Sequence, residues 1–491
     1  MKNNNTNKII YGCIVLFVFL LYGNSIKNNY ALDDSYVTTV DAKTPHLRVE
    51  KGIKGIPEIF STHYIESENQ SFGYRPIVLT TFALEYQFFK SNPHVSHFIN
   101  VLIYAITCVL LFVILAIMFS NYNIILPLLI TFLFIAHPIH TEVVNNLKSR
   151  DELLSFLFGI SSLLFFMKSI KLKGDWKYIL FAVILFVLGL MSKETAVLFI
   201  FIIPLTIYFF TTIKLKKIIF YGFIPLILLI AYKFFKNLVL DDSVVLRNFA
   251  FFENPLFYEL DFFKRIPMAI YTFGYYLKLL VFPHPLSSYY GFNVLPLADW
   301  TFISVWISLL FHVFILGYAI IKLPKKSILS YGILIYLIGI FPFSNIWVPV
   351  VGIVGERFIY IASFGFCIGV AYFLLFFFKI DYSNVKLKLN KNVFKIICIS
   401  ILFACSIKII SRNADWKDEL TLFRNDAKTN NQSYFLNYLA GSALHKESQS
   451  IPLGRDKHLT LVESQKSFKA AAKLLEEGLN NIKMNIIQCQ L

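Results

Sequence analysis

KIIYGCIVLFVFLLYGNS (residues 8–25), followed five residues later by ALDDS (residues 31–35), decides how the chain is read. The first stretch is apolar and long enough to cross a bilayer, which takes roughly 17–25 such residues. The second places two adjacent carboxylates, Asp33 and Asp34, at the membrane border. Acidic side chains there are costly beside apolar protein, and they usually mark chemistry or a transported cation. Lys2 and Lys8 ahead of the apolar run suit a signal peptide, but no small-x-small cleavage site follows and many further apolar runs do. The run reads as a retained first helix. The Asp pair then sits near the start of a long polar loop, residues 26–96.

The composition agrees. Of 491 residues, 57% are hydrophobic and only 15% charged, and the mean hydropathy is +0.62. Soluble domains run near a quarter charged, so this is an integral membrane protein. The formal net charge of +16 does not point to nucleic acid, because the lysines gather in short loops between apolar runs. Cys13, Cys108, Cys367, Cys398 and Cys405 lie inside those runs and Cys489 in the tail, without metal-ligand spacing. They read as small buried hydrophobes rather than a disulfide framework.

Spans are expected at about 8–25, 97–119, 121–137, 150–168, 176–191, 195–213, 217–235, 300–321, 328–344, 358–379 and 393–411. One set of connecting loops carries Lys168, Lys171, Lys173 and Lys177; Lys214, Lys216 and Lys217; Lys322, Lys325 and Lys326; and Lys379, Lys386, Lys388, Lys391 and Lys395. Lysine-rich loops stay in the cytoplasm, which puts the N-terminus inside and the Asp33 loop outside. The parity holds for about eleven crossings if the stretch 266–282, with Lys278 and a closing Pro283-His284-Pro285, is re-entrant or interfacial. The segment 412–491 then lies outside, after a transmembrane domain over 1–411.

The loops on the Asp33 side hold the unusual residues: Arg75, His137, His140, Glu142, Lys148, Arg150, Asp151, Glu152, Lys193, Glu194, His284, Glu356 and Arg357. Each has a plain structural reading, such as Asp151 and Glu152 favouring a helix N-terminus. Together on one face they read as a shared polar cavity. Such a kit suits sugar transfer from a polyprenyl phosphate. Phosphate leaves readily, but an acceptor hydroxyl needs a carboxylate to take its proton, and cations must steady the departing phosphate. Asp33 would be the base, with Asp34 orienting it or the acceptor. Arg75, Lys148, Arg150, Lys193 and Arg357 are the candidates for the phosphate. A metal is not expected, since His137-x-x-His140-x-Glu142 matches no zinc signature and no phosphate-cradling glycine loop is present.

The ordered motifs carry a resemblance. After Asp33-Asp34 come Tyr74-Arg75-Pro76, Asn92-Pro93-His94 and His97-Phe98-Ile99-Asn100. The run from His137 to Val144, that from Lys148 to Leu154, and Ser192-Lys193-Glu194-Thr195 follow. Last are Tyr276 to Leu280 leading into Phe282-Pro283-His284-Pro285, and Glu356-Arg357-Phe358-Ile359-Tyr360. Over about residues 8–430 the chain resembles the TMTC-type protein O-mannosyltransferases and their bacterial relatives, of the GT-C superfamily. The resemblance implies an all-α polytopic GT-C fold. It also implies inverting transfer of mannose or another hexose from a polyprenyl-phosphate donor to Ser or Thr hydroxyls, catalysed by the Asp pair without an obligatory metal or cofactor. It implies tetratricopeptide repeats after the last span. Here stretches near 433–448 and 458–479, with Phe468, Ala471, Leu474 and Leu475, look like one repeat and not an array. The membrane would be a bacterial inner membrane, or the endoplasmic reticulum in a eukaryote.

Two other readings compete. A glycolipid or envelope polysaccharide acceptor would use the same catalytic parts. A transporter would place charges near mid-bilayer on broken helices and often repeat a half, whereas these charges fall at helix ends on one side.

Overall fold

Each apolar run expected to span is helical. The computed structural model describes residues 4–38, 48–67, 70–240, 250–259, 261–383 and 391–490. Lys386 and Lys388 and the loop stretches 39–47, 68–69 and 241–249 lie outside the described residues. In chain order the helices begin with α1 (Asn4–Tyr22), α2 (Ser35–Thr38), α3 (Ile56–Ile59), α4 (Pro76–Phe89), α5 (Pro93–Met118), α6 (Ile125–Ile135) and α7 (His140–Asn145). They continue with α8 (Arg150–Lys171), α9 (Trp176–Leu190), α10 (Phe199–Phe210), α11 (Leu215–Val239), α12 (Phe262–Val281) and α13 (Ile303–Lys322). The last are α14 (Ile328–Ile340), α15 (Tyr360–Phe377), α16 (Asn392–Asp415), α17 (Glu419–Thr429), α18 (Tyr434–Ser450) and α19 (Arg455–Gln490). A small antiparallel hairpin, β1 (Ile65–Ser67) and β2 (Gln70–Phe72), pairs Ile65 with Phe72 inside the first loop.

Among the described residues, seven helices are long and apolar enough to cross a membrane, and four more apolar helices are shorter. The protein is therefore polytopic. The shorter ones, Ile125–Ile135, Trp176–Leu190, Glu194–Phe210 and Ile328–Phe343, fall on the remaining expected runs. Local chemistry trims them. Asn123 Oδ1 accepts the Ile125 amide at 3.0 Å at the start of α6, and Pro138 steers His137 out of the helical region just beyond its end. The stretch expected to be re-entrant or interfacial is the continuous helix α12, which is not one of the seven.

The chain forms two compact units. The first comprises Met1–Arg247, Phe311–Phe341 and Ile359–Ala414. Its core joins Ile14 and Val18 of α1 to Tyr104 and Leu111 of α5, Ile160 of α8, Ile203 of α10, Tyr331 of α14 and Ile368 of α15. Helices α14 and α15 touch backbone to backbone. A Cβ on Gly339 would lie 2.6 Å from Ala362 Cα, so a larger residue there would drive the pair apart. The first loop has a core of its own, in which Val37, Val49, Ile59, Tyr64, Val78 and Phe82 pack with Leu147 and Leu154. That core lays the loop against the start of α8.

The second unit comprises Asn248–Leu310, Pro342–Phe358 and Asp415–Leu491. In it α18 and α19 form a close pair: Ser464 Oγ donates to the Gly441 carbonyl at 2.9 Å, and a Cβ on Gly441 would meet the Phe468 ring at 3.0 Å. Arg424 grips Glu463 through Nε and Nη2, tying α17 to α19.

Candidate active site

Leu32 has φ 55, the left-handed region that non-glycine residues seldom adopt. The turn it makes sends the next two carboxylates to different places. Asp34 is fully buried; its Oδ2 accepts the Ala31 amide at 3.0 Å and its Oδ1 the Lys148 amide at 3.2 Å. Burial pushes this carboxyl up to about 7, against those amide bonds, which favour the charged form. Asp33 keeps 32% of its side chain exposed and meets Lys148 Nζ at 2.9 Å. The same ammonium lies 5.3 Å from the Tyr36 ring. One acid thus fastens the loop to the turn Leu147–Ser149, and the other faces outward with a cation beside it.

A second charged group adjoins the first through Tyr64, whose hydroxyl reaches the Lys148 carbonyl at 3.5 Å and whose ring lies 4.7 Å from the Arg75 guanidinium. Arg75 is the residue before α4, and its two arms bind Asp151 Oδ2 at 2.5 Å and Glu194 Oε2 at 2.9 Å. Burial alone would make this guanidinium easier to deprotonate, but Glu194 and Asp151 outweigh it and hold the charge. Lys193 Nζ bridges Asp151 Oδ1 at 2.9 Å and Glu152 Oε1 at 3.0 Å. Thr195 Oγ1 donates to the other Glu152 oxygen at 2.9 Å. Asp151 and Glu152 are closed off, while Glu194 is half exposed and Arg75 and Lys193 keep slight access. The first loop, the start of α8 and the turn before α10 therefore bring together Asp33, Arg75, Lys148, Asp151, Glu152, Lys193 and Glu194.

Arg150 does not share this opening, and the expectation that it contacts a phosphate is corrected by its surroundings. It is sealed, with Nε on Asn100 Oδ1 at 2.7 Å, Nη1 on Glu85 and on Thr81 Oγ1 at 3.1 Å, and Nη2 on the Ser96 carbonyl at 3.1 Å. The Phe82 ring covers its flat face at 3.8 Å. No donor faces a ligand. His137, His140 and Glu142 are likewise buried where a cavity lining was expected. Both imidazole nitrogens of His140 are engaged, Nδ1 with the Tyr104 hydroxyl and Nε2 with Ser363 Oγ, each at 2.8 Å. His137 Nδ1 accepts the Ile139 amide at 3.4 Å, and its ring packs on Phe366. These side chains brace a helix bend.

His284, Glu356 and Arg357 belong to the second unit. There Glu356 Oε1 accepts the Ser287 amide and the Tyr290 hydroxyl, each at 2.7 Å, and Lys278 Nζ donates to the His284 carbonyl. The Arg357 guanidinium lies 4.8 Å from the Phe358 ring.

Several structural partners escaped the sequence reading. Asn28 Nδ2 donates to the Asn413 carbonyl at 3.0 Å, Asn145 Nδ2 to Asn413 Oδ1 at 2.7 Å, and Asn413 Nδ2 to the Leu21 carbonyl at 2.9 Å. This knot joins the root of the Asp33 loop to the end of α16. Asparagines have no periodic signature, so nothing marked them. Glu85 did leave a signal, as a lone acid in the apolar run from Ile77 to Phe89, which asks for a buried cation.

A polytopic helical body with a mixed-charge opening around one partly exposed acid defines a class, a multi-pass membrane protein with a polar cluster outside its long apolar helices. No family model matches the chain and no solved structure matches it. Curated proteins do. The chain is 27% identical over 489 aligned positions to "Protein O-mannosyl-transferase TMTC3" of Homo sapiens, covering 91% of this chain and 50% of that protein. It is 27% identical over 397 positions to "Protein O-mannosyl-transferase F38B6.6" of Caenorhabditis elegans, covering 79% of this chain and 54% of that one. Against "Protein O-mannosyl-transferase TMTC4" of Homo sapiens it is 22% identical over 85% of this chain. The chain spans about half the length of the first of these relatives. The TMTC-like character read from the ordered motifs therefore holds across most of the sequence.

Proposed function

We propose that this chain is a membrane glycosyltransferase of the protein O-mannosyltransferase type. It moves mannose or another hexose from a polyprenyl-phosphate donor to Ser or Thr hydroxyls of proteins, with inversion. The observation that carries the reading is the outward Asp33 carboxylate, placed next to Lys148 and close to the Arg75 and Lys193 group, in a chain whose curated relatives are named protein O-mannosyl-transferases. Asp33 takes the acceptor hydroxyl proton while that oxygen bonds to the anomeric carbon. The carbon–oxygen bond to phosphate breaks on the opposite face, and polyprenyl phosphate leaves with the electron pair. The protonated Asp33 then returns its proton to water.

Lys148 is paired with Asp33 at rest, and its flexible stem lets the ammonium turn to the leaving phosphate. Arg75 and Lys193 add positive charge from fixed positions. The reaction written this way calls for no metal or other cofactor. The site would face the outside of a bacterial cell or an organelle lumen, and the α17–α19 segment would serve as a repeat-like platform. The test is transfer by purified protein in vesicles supplied with polyprenyl-phosphate mannose and unfolded secreted protein, read by mass spectrometry. Hexose on Ser or Thr with inverted anomeric configuration is the expected result. Hexose found only on lipid or glycan would replace the protein acceptor with the alternative one, and no hexose transfer from the polyprenyl donor to any acceptor would remove the proposal.

A further inference from the structure

Helix α4 is covered on one face only. Val78, Leu79, Phe82 and Ala83 are buried, all four in the core of the first loop. Leu84 and Phe88, one turn apart, are exposed together with Phe89, and Phe88 and Phe89 are 71% and 54% accessible. Ile53 adds a further exposed apolar side chain, and its amide reaches Gln87 Oε1 at 3.4 Å. Large apolar side chains crowded at one helix end are unlike scattered surface leucines and need a cover.

The chain itself indicates which cover. Asn92 caps α5 immediately after α4, accepting the His94 and Val95 amides. From Phe89 to Pro93 the backbone can extend no more than roughly 15 Å. Helix α5 is the most apolar of the seven long helices, and Phe98, Leu102 and Ile106, at helical spacing near its start, are exposed. The end of α4 therefore lies where a bilayer contact begins. Aromatic rings favour that boundary, and the exposed Lys54 and Lys90 have stems long enough to hold ammonium groups at headgroup level.

We infer that the C-terminal end of α4 docks into the phospholipid leaflet on the side of the Asp33 loop, with Leu84, Phe88 and Phe89 in the boundary between headgroups and acyl chains. The inference does not depend on which group the site transfers. Its consequence for the site is geometric. Arg75 stands at the other end of a helix of 14 residues, about 21 Å away at 1.5 Å per residue, so the leaflet sets the height at which the Arg75 guanidinium is held.

The test places a nitroxide at Phe88→Cys, and separately at Leu84→Cys, in full-length protein whose native cysteines are replaced. Exposed Ser61→Cys in the same loop is the reference. The protein is reconstituted in vesicles of phosphatidylcholine with phosphatidylglycerol, and relaxation by oxygen is compared with relaxation by a water-soluble nickel chelate. Positions 84 and 88 should favour oxygen several-fold over the chelate, and position 61 the reverse. Chelate access at 84 and 88 equal to that at 61 overturns the inference. Exclusion of both reagents also overturns it, because a protein surface would then be the cover.

Discussion

Two polar clusters lie side by side on the first loop, and they differ in access. The Arg150 cluster is sealed, with the guanidinium bound by Glu85, Asn100, Thr81 and Ser96 and capped by Phe82. The Arg75 cluster holds more acids and cations, and its Glu194 and the adjoining Asp33 stand partly in the open. Arg150 and Asp151 are neighbours in sequence, yet one serves each cluster. A charge that is fully satisfied and dry is scaffold, and a charge with part of its surface wet is available to a ligand.

The largest expected effect tests the open side. Asp33→Asn removes the base while keeping shape, so transfer should fall by about 10²–10⁴-fold with the unfolding temperature in detergent little changed. Full activity in that variant would take Asp33 out of the mechanism. Next comes the sealed side. Arg150→Met leaves Glu85 buried without its cation, which costs about 3–5 kcal/mol. Thermal unfolding should show that loss, and Glu85→Gln added to it should recover part. A variant that keeps its stability but binds donor weakly would move Arg150 into the site.

A smaller effect is expected at the boundary between the clusters. Arg75→Lys cannot grip Asp151 and Glu194 with one planar fork, so the donor KM should rise about tenfold, near 1.4 kcal/mol, with kcat changing less. Equal loss in both constants would assign Arg75 to the scaffold. The last effect concerns pH, at Asp34. Its carboxyl is raised from 3.8 to about 7 by burial, so the folded chain holds a proton that the unfolded chain releases earlier. Stability should therefore decline as pH rises from about 4 towards about 7. Asp34→Asn should flatten that slope in unfolding curves taken across the window.

The polytopic helical body was legible because a span needs a long apolar run, and each such run is visible without knowing any contact. The sidedness of individual polar residues was not. Arg150 and Lys148 occur in the same short motif, and only the fold turns one inward to Glu85 and leaves the other beside Asp33. His137 and His140 looked like cavity residues because histidine beside proline at a helix end allows either fate; burial against Tyr104, Ser363 and Phe366 decides it. The split between Asp33 and Asp34 was half visible. Their adjacency was plain, but the left-handed Leu32 that parts them has no sequence mark, since leucine is an uncommon choice for that conformation.

The asparagine knot bears on biosynthesis. Asn28 and Asn413 are separated by 385 positions, and chains leave the ribosome N-terminal end first. The loop that carries Asp33 emerges early and has a first anchor in the Leu147–Ser149 turn, yet the bond from Asn28 to Asn413 exists only after α16 has been translated. A ribosome stalled ahead of residue 413 would thus display this loop packed on the start of α8 but without its asparagine knot, which closes only when α16 arrives.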